Sequence, residues 1–397
     1  VIQTTASRPG VATTRLAQVD ALRGFALFGI LMVNIGYLAS AYHGTGVEDP
    51  AFGGPLDELV RWLVAVFFEA KFFLLFSFLF GYSLTLQLAS AERSGARFAP
   101  RFLRRLAGLF VIGVVHAVVL FPGDILTTYG VLGLILLALH RIRPRTAVFA
   151  AVTLLAITAA GYLLLALTID GVAPVSTAGA MEATEALRGG PASIIGAHLA
   201  QLPDVVFLLV FFQAPSALAA FLLGLAAGRH RALADTARHR RVLRWLQILG
   251  FTVGLLGGVV YAYASLGHPG SAYEVFALGV DVISAPLLAA AYAATVLRLA
   301  RGRYGRAVVA ALAPAGRMTL TNYLGQSLVC ALIFTGYGAA LVGRISPAGV
   351  AAIALALFAL QAAGSRCWLR RHAYGPVEWL LRAWTTLSVP RWRARAE

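Results

Sequence analysis

Ten mostly apolar runs follow one another along the 397 residues of this chain, and no other feature constrains its fold as tightly. They cover residues 20–41, 60–89, 102–121, 125–140, 147–169, 204–228, 243–266, 274–299, 316–337 and 348–367. A helix that crosses the hydrocarbon of a bilayer needs roughly 20 such residues. The fourth run is short for that purpose, and the second is long enough to tilt. A water-soluble domain could not hide this much apolar surface. Side chains of the AVILMFWYC set make up 59% of the chain and charged ones 13%, against about 25% charged in ordinary soluble domains. The sequence therefore reads as an all-α, polytopic integral membrane protein with about ten transmembrane helices embedded in a lipid bilayer.

The charge distribution orients those helices. Net charge is +16, carried by 32 arginines and the single lysine, Lys71. Nucleic acid is excluded as the reason for this excess, since the arginines lie between apolar runs and not on one soluble face. They alternate instead. Arg8 and Arg15 precede run 1, Arg93 to Arg105 separate runs 2 and 3, and Arg141, Arg143 and Arg145 separate runs 4 and 5. Arg229 to Arg244 follow run 6, Arg298 to Arg306 follow run 8, and Arg366 to Arg395 follow run 10. The intervening loops are poor in arginine, with only Arg61, Arg188 and Arg344, and richer in acid, with Glu48, Asp49, Asp57, Asp124, Asp170, Glu182 and Glu274. In a bacterial-type membrane protein basic loops stay on the cytoplasmic side, and on that reading both termini are expected in the cytoplasm, with the chain as a multi-pass protein of the cytoplasmic (inner) membrane.

This pattern divides the chain into a cytoplasmic tail (1–19), a six-helix half (20–228), a basic cytoplasmic linker (229–243), a four-helix half (244–370) and a cytoplasmic amphipathic tail (371–397). Val1 to Gln18 is polar and the first run is long, so that run reads as a retained helix and not a cleaved signal. The outer stretch Asp170 to Pro203 holds an Ala-rich segment, Met181 to Leu202, expected as a surface helix, with His198 as a loop histidine. Two cysteines, Cys330 and Cys367, offer no disulfide framework.

Ionisable side chains inside a bilayer are costly and face a cavity, pair, or carry function. Counting depth at about 1.5 Å per residue places Asn34, Glu69, Lys71, His116, Asp124 at the head of the fourth run, Gln213 and Asp281 in the outer half of the membrane. Six helices contribute, which predicts one polar cavity open to the extracytoplasmic side, with Tyr129 of the fourth run on its lining. Glu69 and Lys71 are two residues apart on nearly opposite helix faces, so each needs a partner on another helix unless both sit at the interface with Lys71 snorkelling. His116 reads either as a structural histidine or as a general base. Asp124, eight residues on across a tight turn, favours the base, because a neighbouring carboxylate orients the imidazole and stabilises its cation. No HxxxH, ExxH or CxxC spacing suggests a metal.

A second polar set belongs to the cytoplasmic side. Asp20 and Arg23 share a face of run 1, and Arg317, Asn322 and Gln326 open run 9. Pro376 suits the first turn of a short helix in which Glu378 and Arg382 form an i, i+4 pair. That helix reads equally as an interfacial anchor held by Trp379 and Trp384. Arginines there suit a phosphorylated ligand, although no P-loop or dinucleotide fingerprint is present.

Several of these elements together resemble the YeiB-like family of bacterial membrane proteins, a domain of unknown function numbered 418. They are Asp20-Ala-Leu-Arg-Gly24 with Asn34, Lys71-Phe72 through Phe80-Gly81, His116 with Gly123-Asp124, Gly316-Arg317 through Asn322-Tyr323 with Gln326-Ser327, and Gly375-Pro376 through Glu378-Trp379 and Arg382. The opening Asp-x-x-Arg-Gly is also similar to the start of transmembrane acyltransferases such as the lysosomal heparan glucosaminide acetyltransferases. That resemblance implies transfer of an acyl group, acetyl above all, from cytosolic acyl-CoA as co-substrate to a glycan, lipid or secreted small molecule on the far side. It implies Asp20, Arg23, Arg317, Asn322, Gln326, Glu378 and Arg382 around the acyl-CoA. His116 would be the base or a transient acyl carrier, Asp124 would orient it, and Glu69, Lys71, Asn34 and Gln213 would lie near the chemistry. A proton-coupled transporter using Glu69, His116 and Asp281, with helix-interrupting Pro215 and Pro286, is the alternative. Oligomeric state, a homodimer included, is left open.

Overall fold

In a computed structural model, residues 10–45, 47, 49–93, 95, 97–169, 176–394 are described, with side chains from residue 17 onward. Arg8, Arg395, Glu48, Asp170 and the side chain of Arg15 lie outside the described residues. The chain is all-helical. Its helices are α1 (Gly10–Ala39), α2 (Pro55–Phe67), α3 (Lys71–Arg93), α4 (Phe98–Val119), α5 (Leu126–Ala138), α6 (Pro144–Thr168), α7 (Thr177–Arg188) and α8 (Pro191–Leu208). They continue with α9 (Ala214–Arg229), α10 (Arg240–Leu249), α11 (Leu255–Gly267), α12 (Ala272–Leu299), α13 (Arg303–Arg317), α14 (Thr319–Phe334), α15 (Pro347–Trp368) and α16 (Pro376–Thr386).

All ten apolar runs are helical, and among the described residues eight helical stretches are long and apolar enough to cross a membrane. The other two are α5 and α14, of 13 and 16 residues. At about 1.5 Å per residue, α5 rises about 20 Å, short of the roughly 30 Å of hydrocarbon. Run 9 is thus shorter than expected. Arg317 closes α13, an amphipathic helix that the apolar pattern does not announce, and Met318 bends the backbone before α14 starts.

Side-chain burial follows membrane logic. Leu, Val, Ile and Phe are exposed along the bundle surface, as at Val111 and Val115 of α4 and Phe149, Val152, Ile157 and Leu164 of α6, where lipid covers them. Small residues let the backbones meet inside. A Cβ on Gly24 would stand 2.3 Å from the Leu312 carbonyl oxygen, and one on Gly316 would stand 1.8 Å from that of Asp20. These two glycines therefore set the crossing of α1 and α13.

Three expectations are corrected. The helix read as a surface element over Met181 to Leu202 is two helices, broken at Gly189-Gly190 before Pro191, and α8 runs straight into the sixth span. His198 on α8 is buried, with Nδ1 3.0 Å from the Val118 carbonyl oxygen, and is not a loop residue. Pro215 and Pro286 do not interrupt their helices. Around Leu209–Gln213 the backbone takes a π-helical turn and runs on as α9, and α12 passes through Pro286 unbroken. Without an N–H, Pro215 cannot bond the carbonyl four residues back, and a π turn absorbs the mismatch. The true interruption is at Phe68–Ala70, where Ala70 adopts φ +62° between α2 and α3.

Candidate functional site

The α4–α5 hairpin carries the most organised polar group in the bundle. His116 lies near the end of α4 and Asp124 in the turn that follows. Nδ1 of His116 is 2.9 Å from Oδ1 of Asp124, and Nε2 is 2.8 Å from Oγ of Ser327 on α14. The other carboxylate oxygen of Asp124 accepts the backbone N–H of Thr127 at 2.8 Å. Relative exposures are 2% for His116, 0% for Asp124 and 4% for Ser327. A carboxylate only accepts, so Nδ1 of a neutral His116 carries the proton and Nε2 is the acceptor for the Ser327 hydroxyl. Gly113, one turn before His116, makes room for this arrangement. A Cβ there would lie 2.5 Å from Oδ2 of Asp124 and 2.6 Å from the Thr127 nitrogen.

His116 is eleven residues beyond Arg105, about 16 Å along α4 at 1.5 Å per residue, and the hairpin turns just beyond Val119 at the end of that helix. Above it sit α7 and α8, with Leu187 and Ile194 packed in one apolar cluster with Phe121 and the His198–Val118 contact closing the seam.

A separate polar cluster surrounds the break between α2 and α3. Lys71 Nζ is 3.2 Å from Oδ1 of Asp281 on α12 and 3.4 Å from the Ala65 carbonyl oxygen, with both side chains buried. The ammonium also sits 5.4 Å from the centre of the Tyr261 ring, and Ser284 donates to Asp281 at 3.4 Å. Glu69 accepts from the Tyr261 hydroxyl at 2.8 Å. Lys71 thus neutralises Asp281 and caps a carbonyl freed where α2 ends, a position that favours a cation.

These contacts gather the predicted residues into two groups, His116 with Asp124 and Ser327, and Lys71 with Asp281 beside Glu69 and Tyr261. Tyr129 is buried and bonds Ser77 Oγ at 2.6 Å. Gln213 in the π turn keeps its Oε1 buried without a partner among the described residues, and Asn34 is partly buried on α1.

At the arginine-rich end, Arg23 donates to Asp20 at 2.8 Å, as expected, and to Ser83 of α3 at 2.7 Å. Arg317 is exposed and, like Arg23, lies within electrostatic reach of Asp20. Arg105, whose Nε is buried without a partner among the described residues, is similarly near Arg23 and Glu378. The expected Glu378–Arg382 pair does not form. Glu378 instead accepts the backbone N–H groups of Leu320 and Thr321 at 2.6 and 3.1 Å and the Thr321 hydroxyl at 2.5 Å. It caps α14, whose free N–H groups attract an anion more strongly than a cation one turn away. Arg382 lies over the Tyr374 ring, 5.0 Å from its centre, and joins Arg391 and Arg393 around a groove of about 360 Å³. Asn322 donates to Ala315 and Ser365, and Gln326 to Gln361. These two amides tie α14 to α13 and α15. The α16 helix is docked on the bundle, with Trp384 donating to the Arg104 carbonyl at 2.7 Å and Arg104 to that of Thr385 at 2.9 Å.

Ser327, Tyr261, Ser83 and Gln361 complete these groups and were not singled out by the sequence, beyond the presence of Ser327 in a quoted motif. Their residue types are common in membrane helices, and only the contacts give them meaning.

Such a bundle, with a buried Asp–His–Ser group inside it, defines an all-helical, multi-pass membrane protein. Residues 227–388 match the model of DUF418, a family described as protein of unknown function. The chain is 32% identical over 399 residues to the uncharacterized protein YxaH of Bacillus subtilis (strain 168), spanning 96% of each. Over 401 residues it is 29% identical to the uncharacterized protein YeiB of Escherichia coli (strain K12), spanning 94% of this chain and 96% of that one. An uncharacterized 39.9 kDa protein from the amylase 3′ region of Bacillus acidopullulyticus is 29% identical over 385 residues, 94% of both. The chain belongs to the DUF418 family, and these three relatives are bacterial.

Proposed function

We propose that the protein is a membrane acyltransferase. In this reading an acyl group, acetyl above all, passes from cytosolic acyl-CoA to a hydroxyl or amine of an extracytoplasmic glycan, lipid or small molecule. The observation that carries it is the His116–Asp124 contact of 2.9 Å, in a buried site about 16 Å in from Arg105 by helix rise. An imidazole held in one tautomer by a fixed carboxylate is what a general base requires. Arg23, Arg105 and Arg317 at the near end supply more cation than Asp20 and Glu378 neutralise, and the unpartnered Nε of Arg105 suits a phosphate oxygen. Arg382, Arg391 and Arg393 offer a second anionic foothold. Glu378 serves here as the cap of α14 and not as a ligand group.

Calorimetric titration of acetyl-CoA and free CoA into the detergent-solubilised protein, repeated with Arg23→Ala and His116→Ala, tests the reading. Saturable binding that weakens with Arg23→Ala and survives His116→Ala is expected. A folded protein that binds neither acetyl-CoA nor longer acyl-CoAs would defeat it. In that case the discontinuous α2–α3 helix, with Lys71, Asp281 and Glu69 at its break, favours a proton-coupled carrier, since broken helices are where transporters build their sites. Proton uptake by proteoliposomes, abolished in Asp281→Asn, would then be the measurement.

A further inference from the structure

Nε2 of His116 faces a nucleophile belonging to the chain itself, the Ser327 hydroxyl. We propose that Ser327 is the covalent acyl carrier of this protein, with His116 as its base and Asp124 as the positioning residue. The proposal rests on the acyltransfer reading and deepens it.

Three observations carry it. Distances of 2.9 Å and 2.8 Å link carboxylate, imidazole and hydroxyl in series through opposite ring nitrogens, the geometry that activates a serine wherever it recurs. Position is over-determined. Asp124 is pinned by the Thr127 N–H, Gly113 leaves the room that Asp124 occupies, and Ser327 arrives from a helix 211 residues away in sequence. The third concerns what hydroxyls do elsewhere in this chain. In membrane helices Ser and Thr commonly bond the carbonyl four residues back, and Ser83, Thr158, Thr295 and Thr335 do so at 2.5 to 2.8 Å. Ser327 points away from its own helix, and among the described residues it is the hydroxyl bonded to an imidazole.

The chemistry balances without any oxidant or metal. Ser327 Oγ attacks the thioester carbonyl carbon while its proton moves to His116 Nε2. The C–S bond breaks, the sulfur takes that proton, and a free thiol leaves an acyl ester on Ser327. An acceptor hydroxyl or amine then attacks the ester carbonyl and gives its proton to Nε2. The C–Oγ bond breaks, and the proton returns to Ser327. The imidazolium formed in each half is stabilised by Asp124. A carrier of this kind suits a site reached from two membrane faces, because the bulky donor departs before the acceptor arrives.

A fluorophosphonate probe and acetyl-CoA, applied separately to the full chain in detergent and followed by peptide mapping and by thiol release, test the proposal. Expected is one phosphonyl adduct on Ser327, an acetyl adduct on the same residue after acid quench, and loss of both in Ser327→Ala. In His116→Ala labelling slows by about a hundredfold or more, the usual worth of a general base. Asp124→Asn, which flips the tautomer preference, moves the pH dependence of labelling as well as its rate. Thiol release by the wild type with no adduct on Ser327, or retained in Ser327→Ala, would overturn the covalent carrier and leave the acyltransfer reading standing. Phosphonylation of Ser327 without thiol release from any acyl-CoA would support the nucleophile and overturn acyl-CoA as donor. The mapping is done on the wild type, so the proposal stays testable even where a variant folds poorly.

Discussion

Lys71 and Asp281 form an ion pair 3.2 Å apart that the rest of the protein seals off, with 0% and 4% of each residue exposed. The pair joins the start of α3 to the middle of α12, two elements 210 residues apart in sequence. Removing one partner leaves an uncompensated buried charge, which costs about 3–5 kcal/mol. Lys71→Met alone is therefore expected to lower the thermal unfolding midpoint sharply, whereas Lys71→Met with Asp281→Leu recovers most of the loss. Thermal melts of the two variants in detergent decide this. A double variant as unstable as the single one would show that the ions do more than neutralise each other.

Gly113→Ala tests how the hairpin is held. The added methyl would meet Asp124 Oδ2 and the Thr127 nitrogen at 2.5 and 2.6 Å, and overpacking of this kind costs about 1–3 kcal/mol. The variant is expected to fold with a reduced melting midpoint and to lose fluorophosphonate reactivity at Ser327. Unchanged reactivity would mean that Asp124 has freedom the contacts deny it.

Glu378 ties the C-terminal helix to α14 through three hydrogen bonds. Glu378→Ala should destabilise the fold by about 1–2 kcal/mol, the upper range for loss of a helix cap. Arg382→Ala, which removes only a contact with the Tyr374 ring and one wall of the basic groove, should leave the melt nearly unchanged. The contrast is read in one thermal-shift experiment, and equal losses in both variants would refute the separation of roles.

The arginine alternation makes a topological prediction. In a background of Cys330→Ala and Cys367→Ser, a cysteine at Ser271, between α11 and α12, should react with an impermeant maleimide on intact cells. One at Arg238, between α9 and α10, should react only after permeabilisation. The reverse pattern would invert the bundle and put the arginine cluster outside.

The positions of the spans were legible in the sequence because apolar length is a local property: each run shows its own need for lipid. The Asp20–Arg23 contact was legible for the same reason, three residues on one helix face. His116 and Asp124 were suggested by an eight-residue spacing, but whether they touch depends on how tightly the hairpin turns. Gly113 settles that by admitting the carboxylate.

What the sequence by itself determined is an all-helical membrane bundle with arginine at alternate ends and a few polar side chains buried in it. Only the tertiary structure decided which of those side chains meet, that Ser327 is the partner of His116, and that Glu378 caps a helix it does not belong to. The physical reason is that burial acts on each segment alone, through hydropathy. A buried polar group, by contrast, takes as partner whichever donor or acceptor helix rotation and depth bring within about 3 Å, and those depend on every other helix in the bundle.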